Sequence, residues 1–341
     1  MELGITTFAE TYPDPDTGDI PDAGVSLRQV VEEAVVADDV GLDVYGVGEH
    51  HREDFASSAP AVVLAAIAGR TTRIRLSPAV SILSSDDPVR VYQQYATLDL
   101  LSDGRAELLV GRGSFVESFP LFGYSLNEYD ELFAEKLDLL LAIRDRPRVN
   151  WSGRFRAPLE GQEVHPRSQQ DPIPVWVAVG GTPPSIVRAA TRGLPVALAI
   201  IGGDPSRFRV LSDLHRRTLA ESGFDPADAP LAVHAHGYVA DDLETAAEEY
   251  FPSYSVAMSR LGRERGWGPM TRIQYDRMRT PQGSLVIGDP QTVAAKILRW
   301  REILGIERFM LHISVGTLPH EQVLRSIELL GTKVAQLVRD R

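Results

Sequence analysis

The 341-residue sequence predicts an α/β protein of the (β/α)8, or TIM-barrel, class with insertions at its C-terminal face. Three observations point there. Eight β-prone runs alternate with helical stretches along the whole length, which means parallel strands and right-handed crossovers. The runs are nearly continuous in apolar residues, as strands covered on both faces are. The residues after the first run, Ala9-Glu10-Thr11-Tyr12-Pro13, lack the glycine fingerprint that a doubly wound open sheet would carry there. No shift in composition marks a second domain, so residues 1–341 read as one barrel with insertions at 147–172 and 261–288.

Leu3 to Phe8 is strand one, followed by a proline- and aspartate-bearing loop to Gly24. Ser26-Leu27-Arg28-Gln29 fits a capping box with Ser26 as N-cap, and the helix it opens stops at Gly41. Strand two is Asp43 onward, ending in Glu49-His50-His51. Pro60 to Ala68 is a helix, and Arg73 to Val80 is strand three. Asp87-Pro88 opens the next helix with proline in its first turn, and Gly104 closes it. Ala106 to Val110 is strand four, and Asn127 to Ile143 a helix with Leu132, Leu137, Leu140 and Leu141 as core candidates. Pro147 to Pro172 is polar and proline-bearing, an irregular excursion. Val175 to Val179 is strand five, Thr182-Pro183 opens a helix to Gly193, and Pro195 to Ile200 is strand six, with Asp204-Pro205 opening its helix. Leu231 to Val239 is strand seven, with a helix from Leu243 to about Met258. A long connection, Leu261 to Gly288, precedes a helix opened by Asp289-Pro290; Arg308 to Ile313 is strand eight and Pro319 to Val338 the last helix.

An apolar fraction of 43% with 24% charged residues is that of a soluble globular chain. A net charge of −12 argues against nucleic acid as a partner. The absence of cysteine excludes disulfides, thiol nucleophiles and cysteine-ligated metals. The N-terminus lacks the basic and apolar blocks of a signal peptide, and no apolar run reaches the roughly 18 residues of a membrane span. The expectation is a cytoplasmic protein that engages no membrane.

Three strand ends could carry chemistry. Glu49-His50-His51 brings a carboxylate and two imidazoles to the end of strand two, where barrels build active sites; the alternative is a solvated loop. Adjacent histidines on an extended chain point opposite ways, so at most one faces a given ligand. Gly111-Arg112-Gly113-Ser114 follows strand four and could bring a guanidinium fork and backbone amides to an anion, or be a plain loop. Gly180-Gly181-Thr182-Pro183-Pro184-Ser185 follows strand five; its hydroxyls at a helix N-terminus suit a phosphate, or serve only as a cap. The lysine of a nucleotide-triphosphate loop is missing, as is a Gly-x-Ser-x-Gly elbow for a serine hydrolase. A metal-dependent hydrolase using Glu49, His50 or His51 with His234, His236 and His312 is the alternative from another class.

These motifs, with Asp87-Pro88-Val89-Arg90, Leu100 to Arg105, Arg192-Gly193-Leu194-Pro195 and Gly316-Thr317-Leu318-Pro319-His320, resemble the bacterial luciferase-like monooxygenases over nearly the whole chain in the right order. The resemblance implies a flavin-dependent oxidoreductase, a homodimer or higher homo-oligomer, with FMN or the deazaflavin F420 at the C-terminal face. It implies that His50 is the catalytic histidine beside the flavin and that Arg112 holds the flavin phosphate. Gly180, Gly181, Thr182 and Ser185 would meet that phosphate, and a cis peptide at Ala79–Val80 would lie under the flavin ring. Gly111 stands where luciferase itself has cysteine, so light emission is not implied. The expected reaction is oxidation of a small organic substrate with O2 by reduced flavin, with NAD(P)H or a partner flavin reductase supplying electrons. An F420-dependent dehydrogenase and a non-catalytic flavin-binding protein are the alternatives. The connection from 261 to 288 would then be a mobile cover for the flavin, with Trp267 and Tyr275 shutting out water, the alternative being a surface excursion or a dimer contact.

Overall fold

A computed structural model describes residues 1–14, 17–113 and 115–340. Its elements are β1 (Glu2–Thr7), α1 (Ala23–Asp39), β2 (Val44–Val47), α2 (Pro60–Ala68), β3 (Arg75–Pro78), β4 (Ser81–Ile82), α3 (Pro88–Leu101) and β5 (Leu108–Gly111). Then come α4 (Ser118–Leu121), α5 (Tyr129–Asp145), β6 (Arg148–Trp151), β7 (Leu159–Glu163), β8 (Val175–Val179), α6 (Pro183–Ala190) and β9 (Val196–Ala199). The chain closes with α7 (Arg209–Glu221), β10 (Leu231–Val239), α8 (Leu243–Arg265), α9 (Arg272–Met278), β11 (Val286–Gly288), α10 (Pro290–Leu304), β12 (Arg308–His312), α11 (His320–Leu329) and α12 (Ala335–Arg339).

The parallel sheet runs β3-β2-β1-β12-β10-β9-β8-β5-β4. Stave three of the barrel is split: β3 pairs with β2 and β4 with β5, and between them lies a cis Ala79–Val80 peptide. A parallel bridge from Leu76 to Ala106 joins the open edges, so the eight staves expected from the sequence close into a barrel. Inside it sits a small apolar layer of Leu109, Trp176, Ala197 and Ala232, while the larger core fills the space between staves and helices. The opposite end is plugged by Arg308, which donates to Glu107 Oε1 at 2.5 Å and Glu2 Oε2 at 2.7 Å and lies over Trp176. No described helix is long and apolar enough to cross a membrane.

Helix starts follow the aspartates. Asp87 accepts from Val89 N, and Asp289 from Thr292 N, each just ahead of the proline that opens its helix. The same rule corrects the first helix. Its N-cap is Asp22, which accepts from Val25 N at 2.8 Å, so Ser26 falls in the first turn and gives its hydroxyl back to Asp22 O. Two further expectations change. Part of the 147–172 stretch is an antiparallel hairpin, β6 with β7, whose exposed alternation gave no apolar signal. And α8 runs past Met258 to Arg265, ending at Gly266 in the left-handed conformation, while Thr271 and Gln274 form a capping box that starts α9. About half of the 261–288 connection is therefore helix or strand.

Candidate active site

A cavity of about 370 Å³ opens at the C-terminal ends of the staves. Its floor includes Ala79, Val80, Leu109 and Ala178; its walls carry His50, Arg112, His234, His236 and His312. Gly111 matters here because a side chain on it would meet Val80 Cγ2 at 2.8 Å, so only glycine lets β5 pass that close to Val80.

The pleat separates the histidine pair. His50 faces the cavity and is 6% exposed, stacked on Phe55 at 4.1 Å and edge-on to Phe8 and Phe115. Its Nδ1 is buried without a hydrogen-bond partner, 3.9 Å from Glu117 Oε1, too long for a direct bond. Burial works against ionisation of Glu117, yet His50 and nearby backbone amides bring its carboxyl below the usual range. His51 points away from the cavity into a groove between α2 and α3, within 3.0 Å of Glu49 Oε1. Glu49 Oε2 accepts from Ile82 N, which ties the end of β2 to β4.

The other imidazoles do not join His50. His312 is fixed at both nitrogens, by Thr6 Oγ1 at 3.2 Å and Glu10 Oε1 at 3.0 Å. His236 and His234 share the inward face of β10 as expected; burial, then neighbouring charge, pushes both down to about 3, so they stay neutral. Among the described residues no three His, Asp or Glu side chains are set to hold a metal ion, so the metal-hydrolase arrangement is not assembled.

Arg112 lines the far rim, 4.8 Å over the Tyr129 ring, and donates to Asp130 Oδ1 at 2.7 Å. Ser114 lies outside the described residues. Gly180 lines the cavity with open space around its Cα, whereas Gly181, Thr182 and Ser185 lie outside the lining. The Thr182 and Ser185 hydroxyls bond each other at 2.8 Å, and Thr182 does not cap α6 with its side chain. Pro183 and Pro184 remove two N–H donors from that helix start, so the expected cluster of free amides is thinner than the motif suggested.

The covering residues differ from those expected. Tyr275 is fully buried, donates to Ala247 O and packs on Phe251 and Tyr254; Trp267 is half exposed and outside the cavity. The last turns of α8 take that place, with Met258, Arg260, Leu261 and Glu264 over the mouth. Arg52 grips Glu264 through two bonds of 2.7 and 2.6 Å, and Asp54 through two of 3.0 and 2.9 Å. Arg260 Nε adds a 3.0 Å bond to Asp54. Sequence reasoning missed this latch and the Phe8, Phe55, Phe115 wall. The available signals were Phe8 closing strand one and the Arg260/Glu264 spacing of one helical turn.

A family model described as luciferase-like monooxygenase matches residues 1–307. The solved structure of the monooxygenase RslO1 from Streptomyces bottropensis superposes with a TM-score of 0.87 at 24% identity, over 98% of this chain and 99% of that one. The oxygenating constituent of 3,6-diketocamphane monooxygenase from Pseudomonas putida, solved with FMN, superposes at 0.78 with 19% identity over 98% of each chain. The F420-dependent glucose-6-phosphate dehydrogenase of Amycolatopsis mediterranei is 33% identical over 176 residues, 48% of this chain and 51% of that protein. The structures share the barrel and the family model spans nine-tenths of the length: the chain belongs to the luciferase-like monooxygenase family.

Proposed function

We propose that this protein is an FMN-dependent oxidoreductase, a monooxygenase that uses reduced flavin and O2 on a small organic substrate. The observation that carries the reading is one cavity with Arg112 at its rim, the Ala79–Val80 peptide in its floor and His50 on its wall. These residues fit a flavin: Gly180 leaves room for a close approach, and His50 Nδ1 is buried without a partner. When bound, the flavin supplies the redox chemistry.

The chain's own work is binding, orientation and proton handling. Arg112 takes the phosphate, and the turn from Gly180 through Gly181 and Thr182 to Ser185 borders the same end. His50 holds or moves a proton at Nδ1, kept in place by Phe55 and Phe8. Phe8, Phe55 and Phe115 keep water from the reacting face. Electrons come from NAD(P)H or a separate flavin reductase. The reading includes a cytoplasmic location and a homodimer, the dimer supported by the exposed Val62 and Leu101 along the α2/α3 groove. The F420 relative favours one second reading, an F420-dependent dehydrogenase in the same cavity.

Titration of the purified protein with FMN, riboflavin and F420 tests this. FMN should bind more tightly than riboflavin, and Arg112→Ala should cost FMN about 1.5–3 kcal/mol while leaving riboflavin nearly unchanged. Binding of F420 but not FMN would move the assignment to the dehydrogenase, and binding of neither would overturn both.

A further inference from the structure

Three arginines meet around the Tyr129 ring at the phosphate end of the cavity. Arg112 lies 4.8 Å over the ring, Arg265 lines the same rim, and Arg188, on α6 just outside the cavity lining, meets Arg112 at Asp130. Asp130 pairs with two of them. Asp130 Oδ1 accepts from Arg112 Nη1 at 2.7 Å and from Arg188 Nη2 at 2.8 Å. A single oxygen shared by two guanidinium forks is also the arrangement a phosphate oxygen takes between arginines. Arg188 has a further donor, Nη1, buried without a partner.

We infer that Asp130 is an internal counter-anion that holds the position of a phosphate oxygen between Arg112 and Arg188, and that a phosphate-bearing ligand binds by displacing it, with Arg188 as a second phosphate arginine. This rests on the reading of Arg112 as the phosphate residue. The mobile partner is the acid. The Asp130 side chain is 58% exposed and can swing into solvent, whereas Arg188 is 14% exposed and lies over Phe133. Displacement leaves at least two positive charges facing the incoming phosphate, so the exchange is favourable for an anion and unfavourable for a neutral ligand. The hydrogen bond from Arg188, then the charge of Arg112, holds the Asp130 carboxyl below the usual range, so ligand competition rather than protonation controls the exchange near neutral pH.

A purely structural staple between α5 and α6 behaves differently: its loss would weaken the protein and help no ligand. The test uses ligand-free protein, with inorganic phosphate followed by thermal shift and FMN and riboflavin by fluorescence quenching. Asp130→Asn should bind inorganic phosphate and FMN roughly 2- to 30-fold more tightly, the scale of releasing two partly exposed ion pairs. Riboflavin should be unaffected, and Asp130→Glu, which keeps the charge, should behave as wild type. Arg188→Ala should narrow the preference for FMN over riboflavin. Unchanged or weaker phosphate and FMN binding in Asp130→Asn would overturn the proposal. If Arg112→Ala still weakened FMN selectively, the phosphate reading would survive that result. If Arg112→Ala weakened FMN and riboflavin alike, both would fall.

Discussion

The end of α8 is held over the cavity mouth by charge, and Asp54→Asn tests how firmly. Asp54 is 3% exposed and receives three charge-assisted bonds, two from Arg52 and one from Arg260 Nε. Such bonds contribute about 1.5–3 kcal/mol each when intact. Asparagine keeps one accepting oxygen and Arg52 keeps Glu264, so the net loss should be about 2–3 kcal/mol. Glu264→Gln is the control. That carboxylate is 39% exposed, water screens its pair with Arg52, and the loss should be about 0.2–1 kcal/mol. Both changes act on one event, the local opening that exposes Arg260, Arg263 and Arg265 to trypsin. When reclosing is faster than cutting, the cleavage rate follows the open population. The two losses then become about 30- to 150-fold faster cleavage for Asp54→Asn and at most about 5-fold for Glu264→Gln. Short digestions of ligand-free protein, with fragments identified by mass, give the rates. Equal acceleration in the two variants would refute the assignment of Asp54 as the anchor.

In turnover assays with reduced FMN, His50→Ala should keep most flavin affinity and lose activity by about 10²–10⁴-fold, while His51→Ala should lose far less. The reverse order would mean that the wrong histidine has been placed at the reacting centre. Gly111→Ala should lower stability by about 1–3 kcal/mol and weaken flavin binding, because the added methyl meets branched Val80 in the floor; an unaltered melting curve and affinity would contradict that contact. Hydrogen bonds and charge from Glu33 and Glu32 raise His320 above 6.5. A raised folded pKa adds stability that is fully present below the unfolded value near 6.5 and is lost as pH rises through the folded value. Denaturant midpoints of His320→Gln should therefore fall below wild type at pH 5.5 and converge with it at pH 9, and a gap that widened with pH would reverse the sign.

The parts of the fold readable from sequence were those set by contiguous residues. Val175–Val179 and Leu231–Val239 are apolar runs between proline or polar stops, and the strands have those bounds. Asp-Pro pairs marked helix starts because the cap and the missing N–H act within one turn. The helix-start rule failed only where two candidates competed: Asp22 took the first helix that Ser26 seemed to open. The site split the same way. His50, Arg112 and Gly180 were visible from their places at stave ends, and each lines the cavity. The latch was not visible, since Arg52 and Glu264 are 212 residues apart and ordinary charged residues taken singly. The reach of α8 was hidden for the same reason, because ion pairs to a distant loop extend it where apolar periodicity stops. Asp130 sits in the first turn of α5, and only the fold brings Arg188 to it.

The two prolines at the start of α6 have a consequence for how this protein would select its cofactor. Loops that grasp phosphate through converging amides discriminate by shape, because each N–H must meet its own oxygen. With Pro183 and Pro184 in those places, recognition would shift to guanidinium charge, which reaches further and tolerates more geometries. Sulfate and sulfonate should then compete with the flavin phosphate through their charge. Ionic strength becomes a control knob, since the attraction fades over a Debye length of about 10 Å at 0.1 M salt. Protein purified through concentrated salt should emerge stripped of flavin, and dialysis into dilute buffer should let it load again.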